Sequence, residues 1–324
     1  MNQPRVSVVL TTYNRPDVLP NAIRSVLNQT YPHLELVIVD DASTFDSRAI
    51  IEQFEDSRIR FVRHDVNKGV AAARNTGIRM TTSEYIAFLD DDDHYSESKI
   101  ERQLGKLEGV PTNVGLVYCG FNVFNDQGRH LAQVIPQHKN WTSVDCLEFP
   151  WPSALVRREC FEEVGLFDES FKCFEDWDMA LRMSEKYDFR FCAEPLYVSV
   201  VHPFAKQHLG GDPQRMLKSI NDFYAKHACR IKALPKKSRR RIQSTFHKAK
   251  ARYLYDSGMV GEGRLEAAKC VLLSPWKTHH WKLLAVGSFG THFFRAGWTV
   301  RRGLAHEPQS QRATDTLPVE FTAK

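Results

Sequence analysis

Apolar residues near the start of the chain fall into two alternating patterns. Short continuous runs rich in Val, Ile and Leu predict buried β-strands, because such runs fit a sheet that is covered on both faces. They are "VSVVLTT" (6–12), "LELVIVDD" (34–41), "RIRFVRH" (58–64) and "EYIAFLD" (84–90). Apolar residues at a spacing near 3.6 follow each run and predict helices. This alternation predicts an α/β fold with a mostly parallel sheet and helices on both faces.

The predicted helices lie between the strands. They are "DVLPNAIRSVLNQT", the short "RAIIEQF", the Gly-led "GVAAARNTGIRM" (69–80) and "ESKIERQLGKL" (97–107). In the last of these, Ser98 and Glu101 have the spacing of a capping box, so we expect their side chains to cap the helix start.

Polar residues collect where three of the strands end, at Thr11 to Asn14, at Asp40-Asp41 and at Asp90 to Asp93. In parallel sheets, ligands bind beyond the carboxyl ends of the strands. The run "IAFLDDDDHY" is unusual, since neighbouring carboxylates about 5 Å apart repel by roughly 3 kcal/mol at an effective dielectric near 20. A solvated acidic turn that caps the next helix is the plainer interpretation.

A metal site explains the acidic run better. In an extended strand Asp90 and Asp92 lie on one side, and two hard oxygen ligands suit Mg²⁺ or Mn²⁺, which take further ligands from water and substrate phosphates. The chain has neither a GxGxxG after the first strand nor a GxxxxGK[ST] motif, so no dinucleotide-binding or P-loop site is predicted. We therefore expect a divalent cation to hold a phosphate group here.

Five segments of the chain carry a family resemblance. In order they are "SVVLTTYNRP", "LVIVDDAST", "NKGVAAARNTG", "YIAFLDDDD" and "GLFDESFKCFEDWDMALRM". Through them, residues 5 to 205 resemble a glycosyltransferase family 2 enzyme of GT-A fold, which is inverting and contains a DxD element. Two turns depart from the pattern, since Ala42 stands where similar sequences have Gly, and "YSES" stands where they have Pro after the acidic cluster.

The resemblance implies roles for individual residues. In the donor site, the base and ribose of a nucleoside diphosphate sugar would contact Thr11, Tyr13 and Asp41, with Arg15 nearby and with Arg74 and Asn75 near the ribose and diphosphate. Asp92 would bind the metal directly, with Asp90 or Asp91 supporting it through ribose or water contacts. His202 would touch the metal or the diphosphate, with His208 as its rival and an ordinary surface histidine as the alternative.

An acid–base residue is expected in "CFEDWDMALRMSEKY". Helical spacing begins at about Trp177 and leaves Glu175 and Asp176 at the helix start. These carboxylates can simply cap the helix and favour its dipole, but the resemblance implies that Asp176 is the catalytic base with Glu175 in support. Asp178 and Arg182, four residues apart, predict a structural ion pair.

Charge divides the chain. Residues 1–212 carry 22 Lys and Arg against 32 Asp and Glu, whereas residues 213–324 carry 22 against 7. We predict a catalytic domain over 1–212, a basic helical region over 213–305 and a disordered tail over 306–324. The basic region is expected to dock on an anionic membrane surface, unless its apolar residues instead pack as a helical subdomain on the catalytic domain.

Seven scattered cysteines without a CxxC indicate a reducing cytosol, and neither a signal peptide nor a spanning segment is apparent. The predicted location is therefore cytoplasmic, on the inner face of the membrane. Hydrophobic residues at 42% and charged residues at 26% indicate an ordinary globular protein.

Aromatic rings in a Pro-rich loop are suited to bind a sugar acceptor, because flat apolar rings pack against sugar faces. The segment "FPWPSALVRRE", with Phe149 and Trp151, is the best such candidate.

The leading function is transfer of a sugar, with UDP as the family's commonest donor nucleotide, to a glycan or lipid-linked saccharide in surface polysaccharide or glycolipid synthesis. One alternative is a sugar-nucleotide nucleotidyltransferase, which would need a Gly-rich basic loop that "TTYNRPDV" lacks. Another is nucleic-acid binding through the basic tail, but no motif supports it and no nucleic acid is expected as a partner. Nothing in the pattern indicates an oligomeric state.

Overall fold

A computed structural model describes residues 4–135, 150–201 and 212–286. The strands are β1 Val6–Thr12, β2 Leu34–Asp40, β3 Ile59–Arg63, β4 Tyr85–Asp90, β5 His94–Tyr95, β6 Val114–Asn125, β7 His130–Val134, β8 Ala154–Arg157 and β9 Asp188–Val201. The helices are α1 Leu19–Leu27, α2 Ser47–Glu52, α3 Val70–Met80, α4 Lys99–Gly105, α5 Arg158–Val164, α6 Glu175–Met183, α7 Pro213–Ala233, α8 Lys236–Asp256, α9 Val260–Leu273 and α10 Thr278–Val286.

All nine strands of the described residues form one sheet, in the order β3-β2-β1-β4-β8-β6-β9-β5, with β7 on β6. The longest pairings are parallel: β1 with β2 and β4, β2 with β3, and β6 with β9. Strand β8 runs antiparallel between β4 and β6. The predicted α/β fold with a mixed, mostly parallel sheet is confirmed.

Parallel register aligns the strand ends that carry the polar residues. Thr12 lies beside Asp40, and Thr11 lies beside Asp90. The ends of β1, β2 and β4 therefore meet at one edge of the sheet, which brings the three polar stretches of the sequence together.

Helices cover the sheet on both faces. Val8 and Leu10 of β1 pack with Ile23 of α1 in one core cluster, whereas Val9 faces the other side because successive side chains of a strand alternate. Gly77 of α3 lies against Val9 so closely that an added Cβ would be 2.2 Å from the valine Cγ1. Only glycine lets α3 pack this closely onto β1.

Two local predictions were wrong. Ser98 precedes α4, but its side chain makes no capping hydrogen bond. Glu101 instead accepts a hydrogen bond from Thr30 Oγ1 at 2.7 Å. Its side chain therefore contacts the loop after α1 and does not cap α4. Trp151 is only 1% exposed and packs against Phe88 and Phe167. It belongs to the core rather than to an acceptor surface, and Phe149 lies outside the described residues.

The basic region begins with a helix that packs on the N-terminal α/β body. Phe223 of α7 and Ile242 of α8 lie in the same core cluster as Met179 of α6. The buried carboxylate of Asp178 binds His227 Nε2 at 2.8 Å and Lys226 Nζ at 2.6 Å. The change of charge at residue 212 therefore does not coincide with a gap in packing, and the boundary placed there stays a prediction.

The expected pair of Asp178 and Arg182 is confirmed, with 2.8 Å between a guanidinium nitrogen and the carboxylate. Burial tends to raise the pKa of Asp178, but hydrogen bonds from His227 and Lys226 outweigh that effect and lower it.

Over residues 4–135, 150–201 and 212–286, none of the helices is both long enough and apolar enough to span a bilayer. The tail over 306–324 lies outside the described residues.

Ala42 has a φ of 65°, in the left-handed region. An alanine there costs about 1 kcal/mol because its Cβ crowds the backbone, which explains why glycine is usual at this turn. We expect Ala42→Gly to raise the free energy of unfolding by about 1 kcal/mol, measured by urea denaturation. Ala268→Gly, in the middle of α9, is the control and should lower it by roughly 0.5–1 kcal/mol; equal losses in both would contradict the prediction.

Candidate active site

The four consecutive aspartates turn in different directions at the end of β4. Asp91 points to the end of β1, where its Oδ2 accepts from Thr12 Oγ1 at 2.7 Å and from the Tyr13 amide at 3.2 Å. Asp93 points to β9 and binds the Tyr197 hydroxyl and, at 2.8 Å, the Val200 amide. Asp91 and Asp93 thus connect the end of β4 to β1 and to β9 through hydrogen bonds.

Arg15 supplies positive charge to the cluster. Its guanidinium lies 3.3 Å from Asp91 Oδ1 and also contacts the carboxylate of Asp92. Burial raises the pKa of Asp91 to about 7 even with Arg15 beside it. Each of the four adjacent carboxylates has its own hydrogen-bond or ion-pair partners, and the charge of Arg15 reduces their mutual repulsion.

Arg74 of α3 connects the acidic cluster to helix α6. Its Nη2 donates to Asp90 Oδ1 at 3.0 Å, and its Nη1 donates to Glu175 Oε1 at 2.9 Å. The guanidinium is buried over the ring of Phe167. Burial works against its charge, but the carboxylates of Asp90 and Glu175 outweigh that effect and raise the pKa of Arg74. One buried cation therefore fixes the distance between the two acidic groups of the site.

Glu175 and Asp176 form the first turn of α6, which begins two residues before the predicted start at Trp177. Asp176 Oδ1 accepts from the Trp177 amide at 2.8 Å. Burial, then the charge of Asp176, raises the pKa of Glu175 to about 7; burial also raises the pKa of Asp176, against the opposing charge of Arg74. A carboxylate whose pKa is raised towards neutrality is suited to accept a proton.

Asp41, at the end of β2, is held by three hydrogen bonds. It accepts from His64 Nδ1 at 2.7 Å and from the amides of Lys68 and Gly69 at 2.9 and 2.7 Å. His64 Nε2 in turn lies 2.9 Å from Thr76 Oγ1 of α3. Because a carboxylate only accepts, the Nδ1–H of His64 donates to Asp41 and orients it.

His64 was missed by the sequence analysis. It follows β3 directly, and β3 is the parallel neighbour of β2. The signal that could have found it is its position as the last residue of the predicted strand 58–64, which places it at the same sheet edge as Asp41.

Other predicted donor-site residues have mixed surroundings. Tyr13 is 44% exposed, so its ring is open to solvent, while Thr11 is buried at the strand end. The Asn75 amide is already engaged, since it donates to Phe167 O at 2.9 Å and to Glu169 Oε1 at 2.8 Å and accepts from the Phe167 amide. Asn75 holds the loop before α6, and its contact with a nucleotide stays a prediction. His202 and His208 lie outside the described residues.

The donor set fits a hard divalent cation. Asp90 and Asp92 offer carboxylate oxygens at the sheet edge, with 36% and 12% of their side chains exposed. Within the described ranges, no group of three or more His, Cys, Asp and Glu side chains forms a complete metal cage. Mg²⁺ commonly binds through one or two carboxylates and completes its shell with water and substrate phosphates, so two protein carboxylates suit this kind of ion.

Comparison with known proteins supplies independent information. Residues 7–165 match the model of the family described as "Glycosyl transferase family 2". The chain is 34% identical over 137 residues to an Escherichia coli protein named UDP-Glc:alpha-D-GlcNAc-diphosphoundecaprenol beta-1,3-glucosyltransferase WfgD, covering 42% of this chain and 53% of that protein. The first two curated relatives are matched over about three fifths of their own length.

Solved structures share the fold. Staphylococcus aureus TarS 1–349 in complex with UDP-GlcNAc superposes with a TM-score of 0.63 at 15% identity, over 90% of this chain and 92% of that one. The mannosyltransferase PcManGT from Pyrobaculum calidifontis, in complex with GDP-Man and Mn²⁺, superposes with a TM-score of 0.62 at 20% identity, over 93% and 84%. At such identities the likeness establishes the GT-A fold, as the resemblance implied.

Proposed function

This chain belongs to glycosyl transferase family 2 through its residues 7–165, and on that basis we propose that it transfers a sugar from a nucleoside diphosphate sugar to a saccharide acceptor with inversion. The observation that carries the proposal is the buried Arg74, which joins Asp90 at the end of β4 to Glu175 at the start of α6. In the proposal Asp90 lies on the phosphate side and Glu175 on the base side, and the contact of one guanidinium with both supports a single site.

The donor nucleoside is proposed to lie along the ends of β1 and β2. Asp41, oriented by His64, would accept an N–H of the base, and the exposed ring of Tyr13 offers a flat surface for it. Arg15 would bind the diphosphate. We favour a uridine donor, since the resemblance implies UDP as the commonest nucleotide and the E. coli relative is named for a UDP-Glc donor.

A Mg²⁺ or Mn²⁺ ion would be held by Asp92, with Asp90 as the second carboxylate. When bound, such an ion neutralises the charge that develops on a leaving diphosphate. The PcManGT complex contains Mn²⁺, which supports this choice of cation.

Asp176 is proposed as the base. It would take the proton of an acceptor hydroxyl as that oxygen forms its bond to the anomeric carbon and the bond from that carbon to the diphosphate oxygen breaks. Burial raises the pKa of its carboxyl group, which suits it to receive that proton. Glu175 and Arg74 would position Asp176 and set its charge.

The proposed acceptor is a lipid-linked saccharide of surface polysaccharide or glycolipid synthesis. The E. coli relative is named for a diphosphoundecaprenol-linked acceptor, and residues 213–324 carry an excess of fifteen positive charges. Each cation near an anionic surface contributes about 1 kcal/mol of attraction. We therefore propose that the enzyme works at the cytoplasmic face of the membrane.

A panel of sugar nucleotides tests the activity. The protein, a divalent cation and one sugar nucleotide at a time should release nucleoside diphosphate slowly without acceptor, with uridine donors preferred. Release should stop in excess chelator and return with Mn²⁺ or Mg²⁺. Formation of a nucleoside triphosphate from pyrophosphate instead would identify a nucleotidyltransferase and refute the proposal.

His64→Leu should weaken donor binding by roughly tenfold. Loss of a hydrogen bond to a charged group costs about 1.5–3 kcal/mol, and part of this cost should appear as weaker binding because Asp41 is no longer held in one orientation. We expect KM for the donor to rise while kcat changes little. His64→Asn is the matched control, since its amide can still donate to Asp41 and should preserve most of the affinity. Equal KM values in His64→Leu and the unmodified enzyme would refute the positioning role.

A further inference from the structure

Large apolar side chains reach the solvent mainly in one part of the described chain. Five of the eight exposed ones lie between residues 259 and 281, namely Met259, Leu265, Leu272, Trp276 and Trp281. Leu272 is 76% exposed and Trp276 is 70% exposed, values that are unusual for residues of this size. Such a concentration indicates a surface that is covered in the working protein.

Four of these side chains lie on α9, in the turn after it and on α10. Leu265 and Leu272 are seven residues apart on α9 and so lie on one helix face, opposite Ala267 and Cys270, which are buried. Trp276 follows in the turn. Trp281 of α10 donates its indole N–H to Pro275 O at 2.8 Å, which holds its ring beside that turn. We name Leu265, Leu272, Trp276 and Trp281 the corner surface.

Positive charge lies beside the part of the corner surface that contains Leu272, Trp276 and Trp281. Arg240 of α8 donates to the carbonyls of Leu272 and Leu273, both at 3.2 Å, so its guanidinium lies beside the exposed leucine. Lys277 and Lys282 each follow one of the two tryptophans directly. Between Glu266 and Glu307 the sequence has no acidic residue but six Lys and Arg.

Exposed tryptophans flanked by cations have the chemistry of a membrane interface. Indole rings partition to the headgroup region of a bilayer, and Lys and Arg are attracted to anionic lipid. Because the Trp281 N–H is already bonded within the chain, the ring can leave water without leaving a donor unsatisfied.

We propose that the corner surface enters the headgroup region of an anionic bilayer, with Trp276 and Trp281 inserted and Arg240, Lys277 and Lys282 at the lipid phosphates. This inference rests on the proposed function, since a lipid-linked acceptor is presented at such a surface. The inference adds to the proposed function by identifying which surface of the protein faces the lipid.

Sedimentation of the full chain with vesicles tests the proposal. With phosphatidylglycerol mixed into phosphatidylcholine, Trp276→Ala/Trp281→Ala should lower the vesicle partition coefficient at least about tenfold, and pure phosphatidylcholine should bind both proteins weakly. Val66→Ala is the matched control, because it removes an exposed apolar side chain outside the corner surface and should partition as the unmodified chain does. High salt should weaken the remaining binding of all three.

Tryptophan fluorescence and light scattering distinguish the other possible occupants. A blue shift on adding anionic vesicles, lost in the double variant, supports insertion. Equal partitioning of the double variant and the unmodified chain would overturn the proposal, as would a dimer that dissociates on the double substitution and does not bind vesicles. Donor hydrolysis without vesicles should be equal in all three proteins, so failure of the catalytic proposal would show there and failure of this one only in the sedimentation.

Discussion

Asp176→Asn is expected to slow sugar transfer by about 10²–10⁴-fold, the usual contribution of a general base. The amide keeps the size of the side chain, and its oxygen can still accept from the Trp177 amide as the carboxylate does at 2.8 Å. It cannot take a proton from an acceptor hydroxyl. We therefore expect the loss in kcat, with donor affinity and melting temperature nearly unchanged.

The control for Asp176→Asn is the same change at an exposed aspartate, and Asp126→Asn in the β6–β7 turn serves. Kinetics with saturating donor and acceptor, together with thermal melting of both variants, give the measurement. If Asp176→Asn lost melting temperature in proportion to activity, the residue would be a helix cap rather than a base.

Asp92→Ala is expected to abolish metal-dependent transfer. The cluster would lose its proposed direct metal ligand, and Asp90, whose Oδ1 is already bonded to Arg74, would be left as the second carboxylate alone. Donor binding in the presence of Mn²⁺, measured by calorimetry, should become as weak as binding in chelator. Stability should change little, because the lost contact with Arg15 is offset by relief of repulsion among neighbouring carboxylates.

Asp126→Ala is the matched control for Asp92→Ala, since it removes one exposed carboxylate away from the site. It should retain both activity and Mn²⁺-dependent donor binding. Full activity of Asp92→Ala, or of the unmodified enzyme in excess chelator, would show that no metal is held as proposed.

Strand periodicity carries most of the information about this fold. The four N-terminal strands are found within one or two residues of their predicted ends, because continuous apolar runs have few other solutions in a sheet covered on both faces. Parallel register then places the polar strand ends together without further information. The α/β class was therefore predictable from periodicity, whereas the GT-A fold was implied by the resemblance that the five motif segments carry.

Contacts between residues far apart in the chain could not be predicted this way. Arg74 and Glu175 are 101 positions apart, and their hydrogen bond depends on how α6 packs against α3. The different directions of the four aspartates likewise depend on partners in β1 and β9. Trp151 was misassigned because a Pro-rich loop looked exposed, while its ring fills the space beside Phe88.

The buried Asp178 has a consequence for exchanging parts between related enzymes. Two of its partners, Lys226 and His227, come from α7, so a catalytic body cut near residue 212 would leave Arg182 as the remaining charged partner of this carboxylate. Each lost hydrogen bond to a charged group is worth about 1.5–3 kcal/mol. A chimera that grafts another C-terminal region onto this body must therefore carry α7 along. The smallest transplantable module of this protein therefore extends past the change in charge that divides its sequence.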